Sequence, residues 1–392
     1  MQIEKIQNPK VDISSPGLVD LFYDNDLHKQ PNMYFSNMFP NLYTTFQKEL
    51  KDKWVLGPQY GRQGIALIEV LATPSDIYYE ICARSLQALP TKYIKILLKN
   101  YNVIIHDYIE GPQWLTADVF SNRGNPVDFI KTLDIVPRNT IIATCGGENY
   151  DVKELNIKTG FLPLWLMLIH SERAVDLQFN FNPQKLALVP ARKARHDRVR
   201  LMARLYEQNL LDKCDWSLLL NFEGNGAVGD FFKSPSLSSK RWHLLQTSEE
   251  KYIQTFYQDH KNILPKVFEQ LPKETFKDNH AFDINWAGAY DYMISCETLT
   301  GPTGIFPTEK TFKGMMLGLP VLTLACKGFD NFLTSLGFKT LGDFDHLYGE
   351  ERVVAIVEYL KQPIDREHNK SVAKWNFDLV HDKDFIVSLI QI

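Results

Sequence analysis

Short apolar runs separated by longer amphipathic segments recur along most of this chain, and that alternation restricts the fold more than any other feature. Runs of strand length fall at 65–71, 101–106 and 140–145, and again at 185–189, 216–220, 290–296 and 320–325. Helix-period segments at 83–100, 199–211, 249–264, 309–317 and 351–360 lie between or after them. Parallel neighbours need a crossover long enough to hold a helix, so strand, helix, strand is the grammar of an α/β layer. With 392 residues, and roughly 100–200 residues to a domain, two such domains facing a cleft are expected. Phe181-Asn182-Pro183 marks a restart of the pattern, which puts the boundary between residues 1–184 and 185–392. Residues 1–50 show neither helical nor strand periodicity and are rich in Asn, Pro, Tyr and Phe, an irregular leader anchored by aromatics. The last helix is expected to pack back on the first domain.

Composition excludes several classes. Hydrophobic residues at 44%, with 24 Phe, 17 Tyr and 7 Trp, are enough to fill two cores, which rules out global disorder. A net charge of −4 argues against a chain that is basic overall and binds nucleic acid along its whole surface. Cys82, Cys145, Cys214, Cys296 and Cys326 form neither a CxxC pair nor a Cys/His ladder, so no structural metal is expected and reduced thiols in the cytoplasm are. The first residues, Met-Gln-Ile-Glu-Lys, lack a secretory pattern, and the run at 161–169 contains Pro163 and falls well short of the ~20 residues of a membrane span. No membrane span is expected.

Two clusters could carry chemistry. The first is Arg192-Lys193-Ala194-Arg195-His196-Asp197-Arg198-Val199-Arg200, with Arg204 one turn on. Val199, Met202, Ala203, Tyr206 and Leu210 share a helical stripe, so the arginines gather at a strand-to-helix turn. Backbone N–H groups and the positive end of a helix dipole meet a cleft at such a turn, and guanidinium forks there suit a diphosphate. A solvated face is the ordinary alternative for a charge run.

The second cluster is the apolar run 290–296 ending in Glu297, then a loop with Gly301, Pro302 and Gly304, then Thr308-Glu309-Lys310-Thr311-Phe312-Lys313. The strand delivers Glu297 to the carboxyl edge of a sheet, where open α/β folds bind ligands. Thr308 can cap the helix and Glu309 meets its dipole favourably, which is the structural reading of both. Phe312, Met315 and Met316 would face the core while Lys310 and Lys313 share another face. Glutamate accepting from sugar hydroxyls beside lysine meeting phosphate suits a polyhydroxylated anion.

This order of parts, a strand ending in Glu297, a loop, Thr308-Glu309-Lys310 opening a helix, then Gly318-Leu319-Pro320-Val321 and a strand, resembles the donor-binding motif of α-1,3-fucosyltransferases and related GT-B glycosyltransferases. Asn331-Phe332-Leu333-Thr334-Ser335-Leu336-Gly337-Phe338-Lys339-Thr340 and Arg195-His196-Asp197-Arg198 resemble phage-type members more than animal ones. The resemblance implies two Rossmann-like α/β domains of GT-B type: an acceptor-binding half, 1–184, and a nucleotide-sugar-binding half, 185–392. It implies that Glu309 and Lys310 contact the ribose and phosphate of the donor, that Arg195 or Arg198 contacts its diphosphate, and that Glu297 matches the first Glu of the motif. Thr308 and Lys313 complete the expected donor set. Animal members follow that first Glu with Asn where this chain has Thr298, and their loop is shorter. GDP-fucose is therefore the nearest analogue of the donor rather than its identity.

The expected function is transfer of a sugar from a nucleotide sugar to a hydroxyl acceptor, inverting and independent of metal, with no cofactor beyond the donor. An inverting transfer needs a carboxylate that deprotonates the incoming hydroxyl and cations that stabilise the departing diphosphate. Candidates for the base in the first half are Asp107 and Glu110, after the run 101–106, and Glu148, after 140–145. Expected partners are a nucleotide sugar and a glycan or hydroxylated acceptor; a modified base in phage DNA is one such acceptor, and the setting would then be the host cytoplasm. A non-catalytic nucleotide- or glycan-binding protein is the alternative. The stretch 57–64 matches neither a Walker loop nor a dinucleotide fingerprint, which leaves kinase and dehydrogenase readings without support.

Overall fold

A computed structural model describes residues 33–34, 58–59, 78–82, 91–100, 102–107, 126–147, 152, 155–173, 177–193, 195–219, 250–264, 266, 284–302 and 304–390. The expected strand at 65–71 and nearly all of the leader lie outside them. By contact the chain divides into two units, residues 1–171 with 387–392, and residues 172–386. The division falls ahead of residue 184 because the approach to the second sheet is already tied to it. Asn182 and Gln184 donate their N–H groups to Gly288 O and Ala289 O at 2.9 and 2.8 Å, and the Phe179 ring packs edge-on against Phe377.

In the first unit a two-residue antiparallel pair, β1 (Met33–Tyr34) with β2 (Pro58–Gln59), stands apart from a parallel sheet. That sheet holds β3 (Tyr78–Cys82), β4 (Asn102–Asp107), β5 (Asn139–Thr144) and β6 (Ile157–Phe161), side by side in chain order. Helices α1 (Thr91–Asn100) and α2 (Pro126–Thr132) lie in the connections from β3 to β4 and from β4 to β5, and α3 (Leu164–Arg173) follows β6. Pro126 opens α2, a position where its fixed φ suits the helix and its missing N–H costs nothing. Ile94 and Leu98 of α1, Val127 and Ile130 of α2, and Val103, Ile105 and Ile142 of the strands are buried. Strand β5 is buried at every residue after Asn139, as a parallel strand covered on both faces must be.

The second unit holds β7 (Lys185–Lys193), β8 (Cys214–Leu219), β9 (Tyr290–Cys296) and β10 (Val321–Leu324), all parallel, in the spatial order β10-β9-β7-β8. Its helices are α4 (His196–Glu207), α5 (Lys251–His260), α6 (Glu309–Met316), α7 (Phe329–Ser335), α8 (Gly349–Leu360) and α9 (Arg366–His381), with α10 (Lys383–Ser388) after them. The period-2 alternation of β9 divides its contacts. Tyr292, Ile294 and Cys296 join one core with Leu201, Met202 and Leu205 of α4, Phe256 of α5, and Val353, Ile356 and Val357 of α8. Met293 and Ser295 turn the other way, toward α6. There Gly314 sits so close that a Cβ would lie 2.7 Å from Val321 Cγ2 and 2.9 Å from Met293 Sδ, so the helix lies directly on the sheet. Among the described residues no helix is long and apolar enough to cross a membrane.

Candidate functional site

Strand order locates the crevice. From β7 the chain goes to β8 on one side and then returns to β9 on the other, so the connections leaving the carboxyl ends of β7 and β9 turn apart. Ligands of open α/β sheets bind outside the carboxyl ends at such a reversal. The two clusters singled out in the sequence follow these two strands: Arg195 and Arg198 come after β7, and Glu297 comes after β9.

The clusters touch. Arg195 takes the N-cap position of α4 in extended conformation, and its Nη1 donates to Thr298 O. Arg198 is 3% exposed, and its Nη2 donates to Cys296 O at 2.7 Å and Glu297 O at 2.9 Å. This departs from the expectation of a diphosphate ligand for Arg198: its guanidinium lies inside, against the carbonyls that end β9. A charged donor on two carbonyls there fixes the β7 and β9 ends against each other.

Glu297 is likewise turned inward. Its side chain is buried, and its carboxylate accepts from Thr308 Oγ1 at 2.6 Å, Thr311 Oγ1 at 2.6 Å and the Thr308 N–H at 3.3 Å. Ser295 Oγ lies 3.0 Å from Thr311 Oγ1 and extends the network under the helix. Glu297 therefore pins the first turn of α6 to the end of β9. Thr308 caps α6 as its sequence position predicts, its Oγ1 accepting from the Lys310 N–H at 3.4 Å.

Lys310 reaches back over this start, with Nζ 2.8 Å from Thr308 Oγ1 and 3.0 Å from Glu309 Oε1, and its side chain keeps 27% of its exposure. Glu309 is buried, as is Lys313, so Lys310 and Lys313 do not form the shared exposed face that their spacing suggests. Helix α6 lies flat on the sheet and has too little free circumference for two exposed lysines. The Cys296 thiol beside Glu297 is pushed up to about 11 by burial, which removes it as a thiolate nucleophile.

Arg200 and Arg204, further along the basic segment, are held by acids. Arg200 Nη2 lies 2.8 Å from Glu250 Oε1, and Arg204 Nη2 lies 3.0 Å from Glu350 Oε1. Arg204 also stacks 3.6 Å from the centroid of the Tyr252 ring. Burial works to raise the Glu250 carboxyl, but bonds from Arg200 and Tyr252 and the charge of Arg200 outweigh it and hold the group below its ordinary range. Thr300 donates to Asp197 Oδ2 at 2.5 Å, which ties the loop after β9 to the first turn of α4.

Sequence reading missed the bracket behind this edge. Arg352, fully buried in α8, donates from Nε to Thr323 O and from Nη2 to Thr323 Oγ1 and Asp330 Oδ2, each at 2.6 Å. Its Nη1 donates to Phe344 O at 3.0 Å and Cys326 O at 3.3 Å. Burial pushes the Asp330 carboxyl up, against the opposing pull of Arg352 and Thr323. The signal was available in the spacing: Arg352, Ile356 and Leu360 recur every fourth residue, a cation set into an apolar stripe.

In the first unit Asp107 is the last residue of β4 rather than the residue after it, opposite Thr144 at the carboxyl end of β5. Glu110 and Glu148 lie outside the described residues. Among the described residues no group of three or more His, Cys, Asp or Glu is placed to hold a metal ion.

A groove of about 870 Å³ opens instead at the amino edge of the second sheet, lined by Lys185, Lys213, Asp291, Ile364 and Arg366 among others. Several of its charges close on neighbours: Arg366 makes two bonds to Asp291, at 2.8 and 3.1 Å, and Lys185 meets Asp215 at 2.6 Å. We place the functional site at the carboxyl edge, where the strand order reverses. Compared with known protein-family models the chain matches none, and comparison with curated proteins likewise returns no match.

Proposed function

We propose that the chain is a nucleotide-sugar-dependent glycosyltransferase of GT-B type, with the second unit binding the donor and the first the acceptor. The observation that carries this reading is the meeting of Arg195, the loop 298–302 and the Thr308-Glu309-Lys310 helix start at the reversal of strand order. Lys310 and Arg195 supply cationic donors, and the start of α6 adds the positive end of a helix dipole. Together they suit the diphosphate of a nucleotide sugar, with the buried Glu309 carboxylate holding the Lys310 ammonium at this edge. Arg198, Glu297 and Thr308 act behind the surface by fixing it.

In the transfer, a carboxylate of the first unit takes the proton of the acceptor hydroxyl as its oxygen attacks the anomeric carbon. The bond from that carbon to the diphosphate oxygen breaks with inversion, and the pair of electrons leaves with the nucleoside diphosphate, stabilised by Lys310 and Arg195. Asp107, at the carboxyl end of β4, is one candidate for this base, beside Glu110 and Glu148. The acceptor is a hydroxyl of a glycan or of a modified DNA base.

Thermal-shift titration with nucleoside diphosphates and nucleotide sugars, with and without EDTA, tests the reading, because a ligand bound only by the folded state raises the melting temperature. Selective stabilisation by one nucleotide, weakened about tenfold or more by Lys310→Ala through loss of a charge-assisted contact, is expected. No shift with any nucleotide at millimolar concentration would overturn it. The inward commitment of Glu297 and Arg198 favours a second reading, a nucleotide-binding protein without turnover. Donor binding with no sugar transfer to any hydroxyl acceptor, and no donor hydrolysis, would select it.

A further inference from the structure

Among the described residues, the carboxyl edge of the second sheet carries one exposed aromatic ring on a well-braced turn. Tyr348 is 41% exposed and takes the N-cap position of α8. Neither its ring nor its hydroxyl has a partner among the described residues. The following residue, Gly349, adopts φ +54° and donates its N–H to Thr300 O at 2.9 Å, which ties the backbone next to Tyr348 to the loop that follows Glu297. The other described aromatic with comparable exposure, Trp375, is engaged: its indole N–H donates to Gly337 O at 2.9 Å and Lys339 Nζ lies 4.3 Å from its ring centroid.

A lone exposed hydrophobic residue on a loop carries no message, since soluble proteins expose many. This one differs in what stands behind it. Arg352 closes on Phe344 O and Leu347 O at 3.0 and 3.5 Å, and the Gly328 N–H donates to Asp345 O at 2.9 Å, so the turn leading to Tyr348 is clamped from the interior. The clamp is itself fixed by Asp330 and Thr323. A flat apolar face offered at a binding edge on an ordered backbone binds with little ordering cost.

Resting on the donor-site reading above, we propose that Tyr348 is the stacking surface for the nucleobase of the donor. The ligand class it selects is a planar heteroaromatic base joined to a diphosphate, with the diphosphate lying toward Arg195 and Lys310. Stacking on an aromatic ring tolerates any base, so Tyr348 contributes affinity while base identity is read elsewhere.

Isothermal titration of the full chain with four nucleoside diphosphates and with inorganic pyrophosphate tests this. The wild-type chain is expected to bind a nucleoside diphosphate more tightly than pyrophosphate. Tyr348→Ala should weaken the nucleoside diphosphate about tenfold and leave pyrophosphate unchanged, and Tyr348→Phe should retain wild-type affinity for both. Unchanged nucleoside diphosphate affinity in Tyr348→Ala, or an equal loss for pyrophosphate, overturns the proposal while leaving the donor site in place. Failure of the wild-type chain to bind either ligand overturns both.

Discussion

The two parallel sheets are built from similar strands and differ in the order in which the chain visits them. In the first, β3, β4, β5 and β6 stand in sequence, so each described strand is added on the same side of the last. In the second, β7 is laid down first and the chain then builds on both of its sides. Only the second pattern turns the loops apart at a carboxyl edge among the described strands, and buried charge lies at that edge. Arg198, Glu297, Asp330 and Arg352 are all buried there or just behind. At the carboxyl edge of the first sheet Asp107 stands opposite Thr144, whose Oγ1 accepts the Gly146 N–H at 3.1 Å. A reversal opens a gap in the packing, and internal ion pairs and charged donors to carbonyls keep its rim in one arrangement.

The largest contrast between the edges should appear in stability. Arg352→Met leaves Asp330 buried without its partner and is expected to cost about 3–5 kcal/mol, whereas Thr144→Val removes one neutral acceptor and should cost about 1 kcal/mol. Urea denaturation of both variants checks this; equal losses would erase the difference drawn here. Next in size is a functional separation. Asp107→Asn should lower sugar transfer about 10²–10⁴-fold, the range for a general base, with donor affinity unchanged, in a paired assay of turnover and titration.

Glu297→Gln tests whether the second edge depends on a charge held inside. The amide must place an NH₂ donor among hydroxyls and an N–H that already donate, so a loss of about 1–3 kcal/mol is expected, together with weaker donor binding as the α6 start loosens. Glu297→Gln with unchanged melting and binding would show that the carboxylate braces nothing. The smallest effect concerns acid. A carboxyl whose folded pKa is depressed contributes stability above its unfolded pKa and loses it as pH falls through the folded value. Glu250 is such a group, partly exposed, so its share should be under about 1 kcal/mol and should fade in the acid range. Arg200→Met should flatten that segment of the stability-versus-pH curve.

Strands β7, β9 and β10 and helix α6 were legible because each is a dense apolar run or a capped apolar stripe bounded by Gly or Pro. Helix α9 was not, although it is 16 residues long. Its inward face includes Asn369 and Asn376, which interrupt the stripe. Asn376 earns its place only across the fold, accepting from the Lys339 N–H and donating to Lys339 O, each at 2.8 Å. Strand β6 was hidden for a related reason: Lys158 and Thr159 are exposed at the sheet margin, so only part of it reads as apolar.

At the site, sequence located the polar residues and not their direction. Arg198 and Lys310 look equally available in a list of cations. A guanidinium reaching carbonyls nearly one hundred residues away in the chain is visible only once β7 and β9 lie side by side.

The close seat of Gly314 against Val321 and Met293 bears on how such a site could change over time. With no room for even a methyl group, α6 can neither slide along the sheet nor rise from it without disturbing two strands. Variation at this edge would then fall on side chains of the loop at 298–302 and on Tyr348, while the helix and the clamped turn at 344–347 stay put. The seat of the helix would be the most conservative part of this edge, and its exposed side chains the most inventive.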